Sequence, residues 1–554
     1  MTRKYVLLLT AVAGLGGLLY GYDIGIIGTA LLYLDRCVRL SERQVGLLAS
    51  AVMLGALVSS IAGGGLSDVV GRKKAMVLSA LLFAASVVMI VTARGFWPLF
   101  FGRTLQGLSA GMIAVIIPVF MSECVPARIR GTGSTVFQLC ITLGILLAMA
   151  AGAFYQAGVK TAVEAVPGNA AAIVAIQDQA WRAMFRSSIW PALVFLVVAI
   201  FVTESPRWLY RRGRANDAFA VLLKSRDRAQ AELELREMET MSGGVGGALA
   251  SHAGGSLLQR HYVIPFLLAV TLLGINQATG IVAVFTFPVV MLHQSGLSES
   301  AASQTGVYLA VTNFLVTILG VLLVDRLGRK VLLTIGTGII IVALAIGVLT
   351  FLRLESGRQD VSARLQAAVS GGRLDVRLRD LAPAPGDVQV NVVYAYDGKE
   401  QVTTLRGSGD ARLSITPDTA ATGAALKILR AKVTPAPRER TGRIILACLL
   451  LYIVGFAFGP GVCLWLMSAE LLPTRVRSVG MGVGVLVNAL VSIASTSVFL
   501  PVTGNFGYAA MWGAWLACTI AYFLFAVLVL PETRGKTLEE IERLWTRANV
   551  VEEP

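Results

Sequence analysis

Twelve stretches of almost unbroken apolar sequence recur along the chain, near 5–34, 45–66, 75–93, 96–122, 132–155, 185–203, 262–292, 304–325, 331–352, 443–469, 478–501 and 508–531. A helix rising 1.5 Å per residue needs about 20 residues to cross a hydrocarbon core about 30 Å thick, and each stretch is near that length. In lipid a chain segment must satisfy its own backbone, so such stretches are expected as helices. The pattern predicts an all-α polytopic membrane protein with twelve transmembrane helices. Two long polar stretches interrupt it. The first, 204–261, contains helix-forming text and a glycine-rich tract, SGGVGGALASHAGG, and is expected as a helical linker. The second, 353–442, contains VQVNVVYAYDGKEQVTTL, where period-two alternation flanks Asp397-Gly398. That text predicts a β-hairpin in a small folded insertion.

The predicted division is 1–203 as an amino-terminal six-helix bundle, 204–261 as the linker, 262–352 as spans seven to nine, 353–442 as the insertion, 443–531 as spans ten to twelve, and 532–554 as a tail.

Composition agrees. Hydrophobic residues make up 55% of the 554 and charged ones 15%, against about 25% charged in a soluble domain. The net charge of +15 raises a nucleic-acid reading. With both termini placed in the cytoplasm, however, the basic residues of the short loops concentrate on the cytoplasmic side, as membrane topology requires. No nucleic-acid partner is expected, and the linker and tail are then cytoplasmic and the insertion external. Cys37, Cys124, Cys140, Cys448, Cys463 and Cys518 lie mostly within apolar segments and never as Cys-x-x-Cys, so they read as packing residues. Arg3 and Lys4 before an apolar run mimic a signal peptide, but the run continues without a convincing cleavage site and reads as span one.

An internal repeat stands out in the loops, where lipid composition cannot produce it. Asp68, Gly71, Arg72 and Lys73 follow span two; Asp325, Gly328, Arg329 and Lys330 follow span eight with the same spacing. Glu123, Pro126, Arg128 and Arg130 follow span four; Glu470, Pro473, Arg475 and Arg477 follow span ten. The first pair is offset by 257 residues and the second by 347, and the insertion accounts for almost all of the difference. Two six-helix repeats in parallel are the layout of a carrier that rocks its halves about a central site. The repeated acid-to-base spacing at helix ends suits a gate that breaks and reforms during rocking.

Several of these segments resemble the sugar porter branch of the major facilitator superfamily. GGLSDVVGRKK (Gly64–Lys74) and VDRLGRK (Val324–Lys330) are similar to its paired signature. ESPRWL (Glu204–Leu209), PETRGKTLEEIE (Pro531–Glu542), GYDIGIIG (Gly21–Gly28) and GPGVCLW (Gly459–Trp465) match further ones. The resemblance covers nearly the whole chain outside the insertion. It implies the major facilitator fold, and it adds Glu204, Arg207 and Glu532 to the cytoplasmic gate alongside Glu470 and Arg475.

Two ionisable residues sit well inside spans, where charge is rare and usually functional: Asp23 in the first and Arg103 in the fourth. Counting rise per residue puts Asp23 roughly 24 Å from the inner boundary and Arg103 roughly 10 Å below the outer one. They lie at similar depth. A carboxyl that alternately gains and loses a guanidinium neighbour alternates between releasing and holding a proton, so the pair is a candidate coupling device for H+. By resemblance, an acid at this position marks proton-coupled members. A permanently paired structural bridge is the alternative.

A sugar presents hydroxyl edges and C–H faces, so its site needs amides and an aromatic plane. Gln138, Asn276, Gln277, Asn313 and Asn488 occur in otherwise apolar spans, and Trp465 follows the Gly459-Pro460-Gly461 break. Each amide could instead bond helix to helix. The resemblance places these six, and Tyr20, at sugar-contacting positions. Val282 and Thr286 depart from the family by being apolar or short where polar or longer side chains are usual, and the position near Ala457, acidic in some glucose carriers, is apolar here.

Gly-rich GLGGLLYG and GMGVGVLVN lack the strand context of phosphate loops, and Gly480 and Gly484 are spaced for helix packing. His252, His261 and His293 are scattered, no nucleophile and base are paired, and neither a metal, a cofactor nor an enzyme activity is expected. The leading expectation is a monomeric proton-coupled importer of a monosaccharide or polyol in a bacterial inner membrane. A facilitative uniporter or other small-solute carrier is the alternative. A non-transporting sugar receptor is disfavoured by the short tail. The insertion reads as a passive cap or as a docking place for an envelope partner.

Overall fold

The computed structural model describes residues 3–38, 40, 42–125, 130–167, 169–236, 238, 260–297, 299–370, 373–381, 387–396, 399–407, 410–415, 426–473 and 476–534. Eleven helices among them are long and apolar enough to cross a membrane; a twelfth, Glu42–Val70, bends by 49° between Ser60 and Ala62. In chain order, spans 1 to 12 are Tyr5–Ala30, Glu42–Val70, Arg72–Thr92, Phe96–Met121, Val136–Glu164, Ala171–Phe201, Tyr262–Thr286, Gln304–Leu327, Arg329–Glu355, Glu439–Leu471, Val479–Phe506 and Tyr508–Leu528. This is a multi-pass membrane protein.

Span 6 starts earlier than its apolar window. Its first helix, Ala170–Ser187, begins where the Asn169 side chain accepts a hydrogen bond from the Ala172 amide at 3.1 Å. Asp178, Arg182 and Arg186 hid this helix from a hydropathy reading, yet Asp178 and Arg182 pair at 2.8 Å across one turn and Arg182 stacks over Trp181. Two partnered charges continue a helix that two isolated ones would end.

Packing follows the repeat. In the amino-terminal half span 1 lies on 5, 2 on 4, and 3 on 4 and 6; in the carboxy-terminal half 7 lies on 11, 8 on 10, and 9 on 10 and 12. Adding six to each number converts one set into the other. Across the halves span 2 meets 11 and span 5 meets 8, which the same operation exchanges. Close approach is set by small residues: a Cβ built on Gly55 or Gly107 would fall into the backbone of the partner helix. Because consecutive spans reverse direction, the loops after spans 2, 4, 6, 8, 10 and 12 share one end of the bundle and the insertion lies at the other.

The insertion is a small β-unit with its own core. The strands are β1 (Gln359–Asp360), β2 (Leu374–Arg377), β3 (Val388–Tyr396), β4 (Lys399–Gly407), β5 (Arg412–Ile415) and β6 (Lys427–Pro435). One antiparallel sheet runs β1-β6-β3-β4 and a second pairs β2 with β5. The expected hairpin is β3–β4, with Tyr396 opposite Lys399; its turn, Asp397-Gly398, lies outside the described residues. Val388, Val390, Val392 and Tyr394 are buried in alternation, as period two demands. The unit stands on the last turn of span 11, where Lys432 donates to the Asn505 carbonyl at 2.6 Å and Arg358 to that of Gly504 at 3.1 Å. Burial there, with Arg358 and Arg430 nearby, pulls the Lys432 ammonium below its usual range.

Candidate functional site

Span 1 and span 4 bring Asp23 and Arg103 together. The guanidinium Nη1 donates to the Asp23 carboxylate at 2.7 Å, and the residues are 1% and 2% exposed. The same nitrogen donates to the Gln106 side-chain carbonyl, also at 2.7 Å, and the guanidinium lies over the Phe185 ring of span 6 at 5.6 Å. Span 1 can present an acid here because Gly21 and Gly25 let it press against the backbone of span 5 at Ile141 and Ile145.

The amides divide. Gln277 donates to Asn488 at 3.2 Å, and Asn488 donates to the Leu273 carbonyl at 2.9 Å, so these two tie span 7 to span 11. Asn276 is 1% exposed, and neither its amide nitrogen nor its amide oxygen has a protein partner. Gln138, Asn313 and Trp465 are buried in spans 5, 8 and 10, and Tyr20 packs partly buried against the core. Trp465 follows a helix interruption at Gly459, after which Pro460 opens the next helix, as expected for a residue whose missing N–H costs nothing there. Span 7 is broken too. Gly280 has φ +93°, and the Tyr452 hydroxyl donates to the Thr279 carbonyl at 3.1 Å, holding the break. A Cβ on Gly280 would enter the Trp515 ring. Gly280→Ala is therefore expected to destabilise by about 1–3 kcal/mol, read as an earlier thermal melt of the purified protein; an unchanged melt would show the break is not strained.

Between spans 1, 5, 7 and 8, towards the insertion end, lies a cleft of about 40 Å³ lined by Gly28, Thr29, Gln156, Phe285 and Thr286. It has room for about one water, far less than a sugar. Among the described residues no cluster of His, Cys, Asp and Glu could hold a metal ion.

At the motif-bearing end two matching clusters form. Arg72 pairs with Asp68 at 2.6 Å and is gripped by both oxygens of Glu123 at 3.0 Å each. Glu204 accepts from the Arg72 and Lys73 amides at 2.8 and 3.2 Å, capping the N-terminus of span 3 where a carboxylate meets the helix dipole. Arg329 likewise pairs with Asp325 at 3.0 Å and Glu470 at 3.3 Å, and Glu532 accepts from the Arg329 and Lys330 amides at 3.1 and 3.0 Å. Gly71 and Gly328, at φ +98° and +94°, turn the chain into each helix.

Among the described residues each ion pair of these clusters lies within its own half, where it braces helix ends. Arg128 and Arg475 lie outside the described residues, and Arg130 and Arg477 begin helices without a described side chain. Arg207 is exposed and joins no described ion pair; Arg211, one turn later, approaches Glu123 to 3.6 Å in its place. Arg226 of the linker also reaches this end, donating to the Cys124 carbonyl at 3.0 Å. Sequence reading missed Gln106, Arg211 and Tyr452. The i, i+3 spacing of Gln106 from Arg103 was the available signal for the first.

Known proteins share this architecture. The arabinose-proton symporter of Bacillus subtilis is 26% identical over 98% of this chain and 96% of its own. The galactose-proton symporter of Escherichia coli (strain K12) is 27% identical over 96% and 92%. A solved structure of the proton:xylose symporter XylE, bound to 6-bromo-6-deoxy-D-glucose, superposes with a TM-score of 0.68 at 24% identity, covering 98% of this chain and 100% of that one, and shows the fold. The model of the sugar (and other) transporter family matches residues 9–368 and 419–545, and the gap between them falls inside the β-insertion. Repeated packing, paired loop signatures and this match agree: the chain belongs to the sugar (and other) transporter family, the sugar porters of the major facilitator superfamily.

Proposed function

We propose that this transporter imports a monosaccharide or polyol by symport with protons, alternating access between the two sides of a bacterial inner membrane with both termini in the cytoplasm. As a family member it is a sugar transporter and not an enzyme. The observation that carries proton coupling is the Asp23–Arg103 pair, excluded from water and held at 2.7 Å. An acid there takes up a proton when rocking separates it from the guanidinium and gives it up when they rejoin. The proton-symporter names of the relatives favour this over facilitated diffusion.

Asn276 is the amide assigned here to the sugar. Its unpartnered donor and acceptor match the two sides of a hydroxyl, whereas Gln277 and Asn488 spend part of their capacity on each other. Gln138, Asn313, Trp465 and Tyr20 are assigned to the sugar with it. Val282 offers no hydrogen bond where the family usually has one, which favours a ligand with fewer polar edges on that side.

Uptake of a labelled monosaccharide and polyol panel into transporter-deficient cells, with and without a protonophore, tests the reading. Accumulation that the protonophore leaves intact would overturn it. Asn276→Ala is expected to raise the KM of the accumulated sugar about tenfold, the equivalent of one lost hydrogen bond. Unchanged concentration dependence would remove Asn276 from the site.

A further inference from the structure

We propose that Gln106 is a positioning residue that retains Arg103 while Asp23 carries its proton, and that it thereby sets the pH at which the carrier loads. The proposal rests on the proton-coupling reading above. Gln106 is a fully buried amide on span 4, and its side-chain oxygen accepts from the same Arg103 nitrogen that serves Asp23. Its own amide nitrogen has no partner, and neither does Arg103 Nε. A glutamine placed for helix packing would bond to a neighbouring helix; this one makes its described bond to the arginine alone. Burying a half-satisfied amide costs free energy, so an amide kept here needs a compensating role.

The chemistry follows from which groups titrate. When Asp23 is charged, the guanidinium has a carboxylate and an amide oxygen as acceptors. When Asp23 is protonated its charge is gone, and the amide oxygen, which does not titrate, remains aimed at Arg103. Gln106 thus contributes most in the proton-loaded state.

The other described surroundings are largely apolar. Span 5 presents Ile141, Ile145 and Ala148 to this stretch of span 1, and span 6 presents Phe185. Span 7 brings Phe285 near Gly28. The titratable groups described near Asp23 are Arg103 from span 4 and Tyr20 from span 1, with Tyr22 and, from span 5, Tyr155 further out. Among the described residues no second carboxylate pairs with Arg103.

Removing the amide oxygen should therefore disfavour loading, and supplying a carboxylate that competes for Arg103 should favour it. The test reads protonation directly in the full-length reconstituted protein: the pH titration of the protonated-carboxyl infrared band that Asp23→Asn removes. With Gln106→Leu the midpoint is expected to fall by about one pH unit, the worth of one hydrogen bond expressed in proton affinity. With Gln106→Glu it is expected to rise, the added carboxyl being subtracted with the Asp23→Asn, Gln106→Glu double variant. A Gln106→Leu midpoint equal to the parent's overturns the proposal while leaving proton coupling intact. If Gln106→Leu does not fold, a Gln106→Glu midpoint at or below the parent's overturns it equally. Absence of any titrating band that Asp23→Asn removes overturns the coupling reading itself, and the proposal with it.

Discussion

Asp23→Asn is expected to abolish uphill accumulation while counterflow of labelled for unlabelled sugar persists at a measurable rate. Asparagine keeps the shape and can still accept from Arg103, but it cannot carry a proton across. The loss is large because the coupled charge is the whole driving force. One charge moving through 100 mV gains about 2.3 kcal/mol, which sustains roughly 50-fold accumulation. Without it the gradient relaxes to unity, so the readout is a steady-state inside-to-outside ratio near one in energised vesicles. A ratio still well above one would place the coupling acid elsewhere. Loss of counterflow as well would make the pair a structural bridge, because breaking a buried pair also unsettles the fold.

Arg72→Met is expected to destabilise the protein by about 3–5 kcal/mol, the usual cost of removing one partner of a buried ion pair, with only the exposed Arg211 left at 3.6 Å from Glu123. Arg72 is 2% exposed, and it meets Glu123 with two parallel contacts of 3.0 Å, the geometry in which an arginine–carboxylate pair is strongest. Its counterpart Arg329 touches Glu470 through one contact of 3.3 Å, and the other Glu470 oxygen already accepts from the Thr533 hydroxyl at 2.7 Å. Arg329→Met should therefore cost less. Thermal melting of the two purified variants in one lipid-detergent mixture checks the order. Equal losses would mean that the shared exposed partners, Asp68 and Asp325, set the stability, and the reverse order would contradict the geometry.

Much of this molecule is legible in the chain because the bilayer restricts what can occur. Residues 75–93 or 331–352 have no alternative to a helix in lipid, and the offsets between Asp68 and Asp325 and between Glu123 and Glu470 expose the repeat without coordinates. The β3–β4 hairpin is equally local, since alternation and a two-residue turn need no distant contact. The depth of Asp23 and Arg103 follows from rise per residue, and that they meet at 2.7 Å agrees with the count.

Less legible are the choices among long side chains of similar reach. Arg207 and Arg211 lie one turn apart in the helix Pro206–Arg211, and whichever faces span 4 depends on how that helix settles on the loop after span 2. There Trp208 donates to the Asp68 carbonyl at 2.9 Å, and Arg211, still largely exposed, comes within 3.6 Å of Glu123. Gln277 and Asn276 are adjacent, so they point about 100° apart on the helix; one reaches span 11 and the other keeps its amide open. The start of span 6 was hidden because hydropathy counts Asp178 and Arg182 as two charges, whereas in the fold they neutralise each other.

Periodicity, spacing and composition act over a few turns, and they were enough to establish the spans, their order, the doubling of the halves and the residue types available at depth. Which helices touch, whether an acid cluster binds within a half or across the two, and which amide is left without a partner depend on residues tens to hundreds of positions apart. Those contacts form only once the helices have packed, because a side chain's partner is set by the facing helix and not by its own.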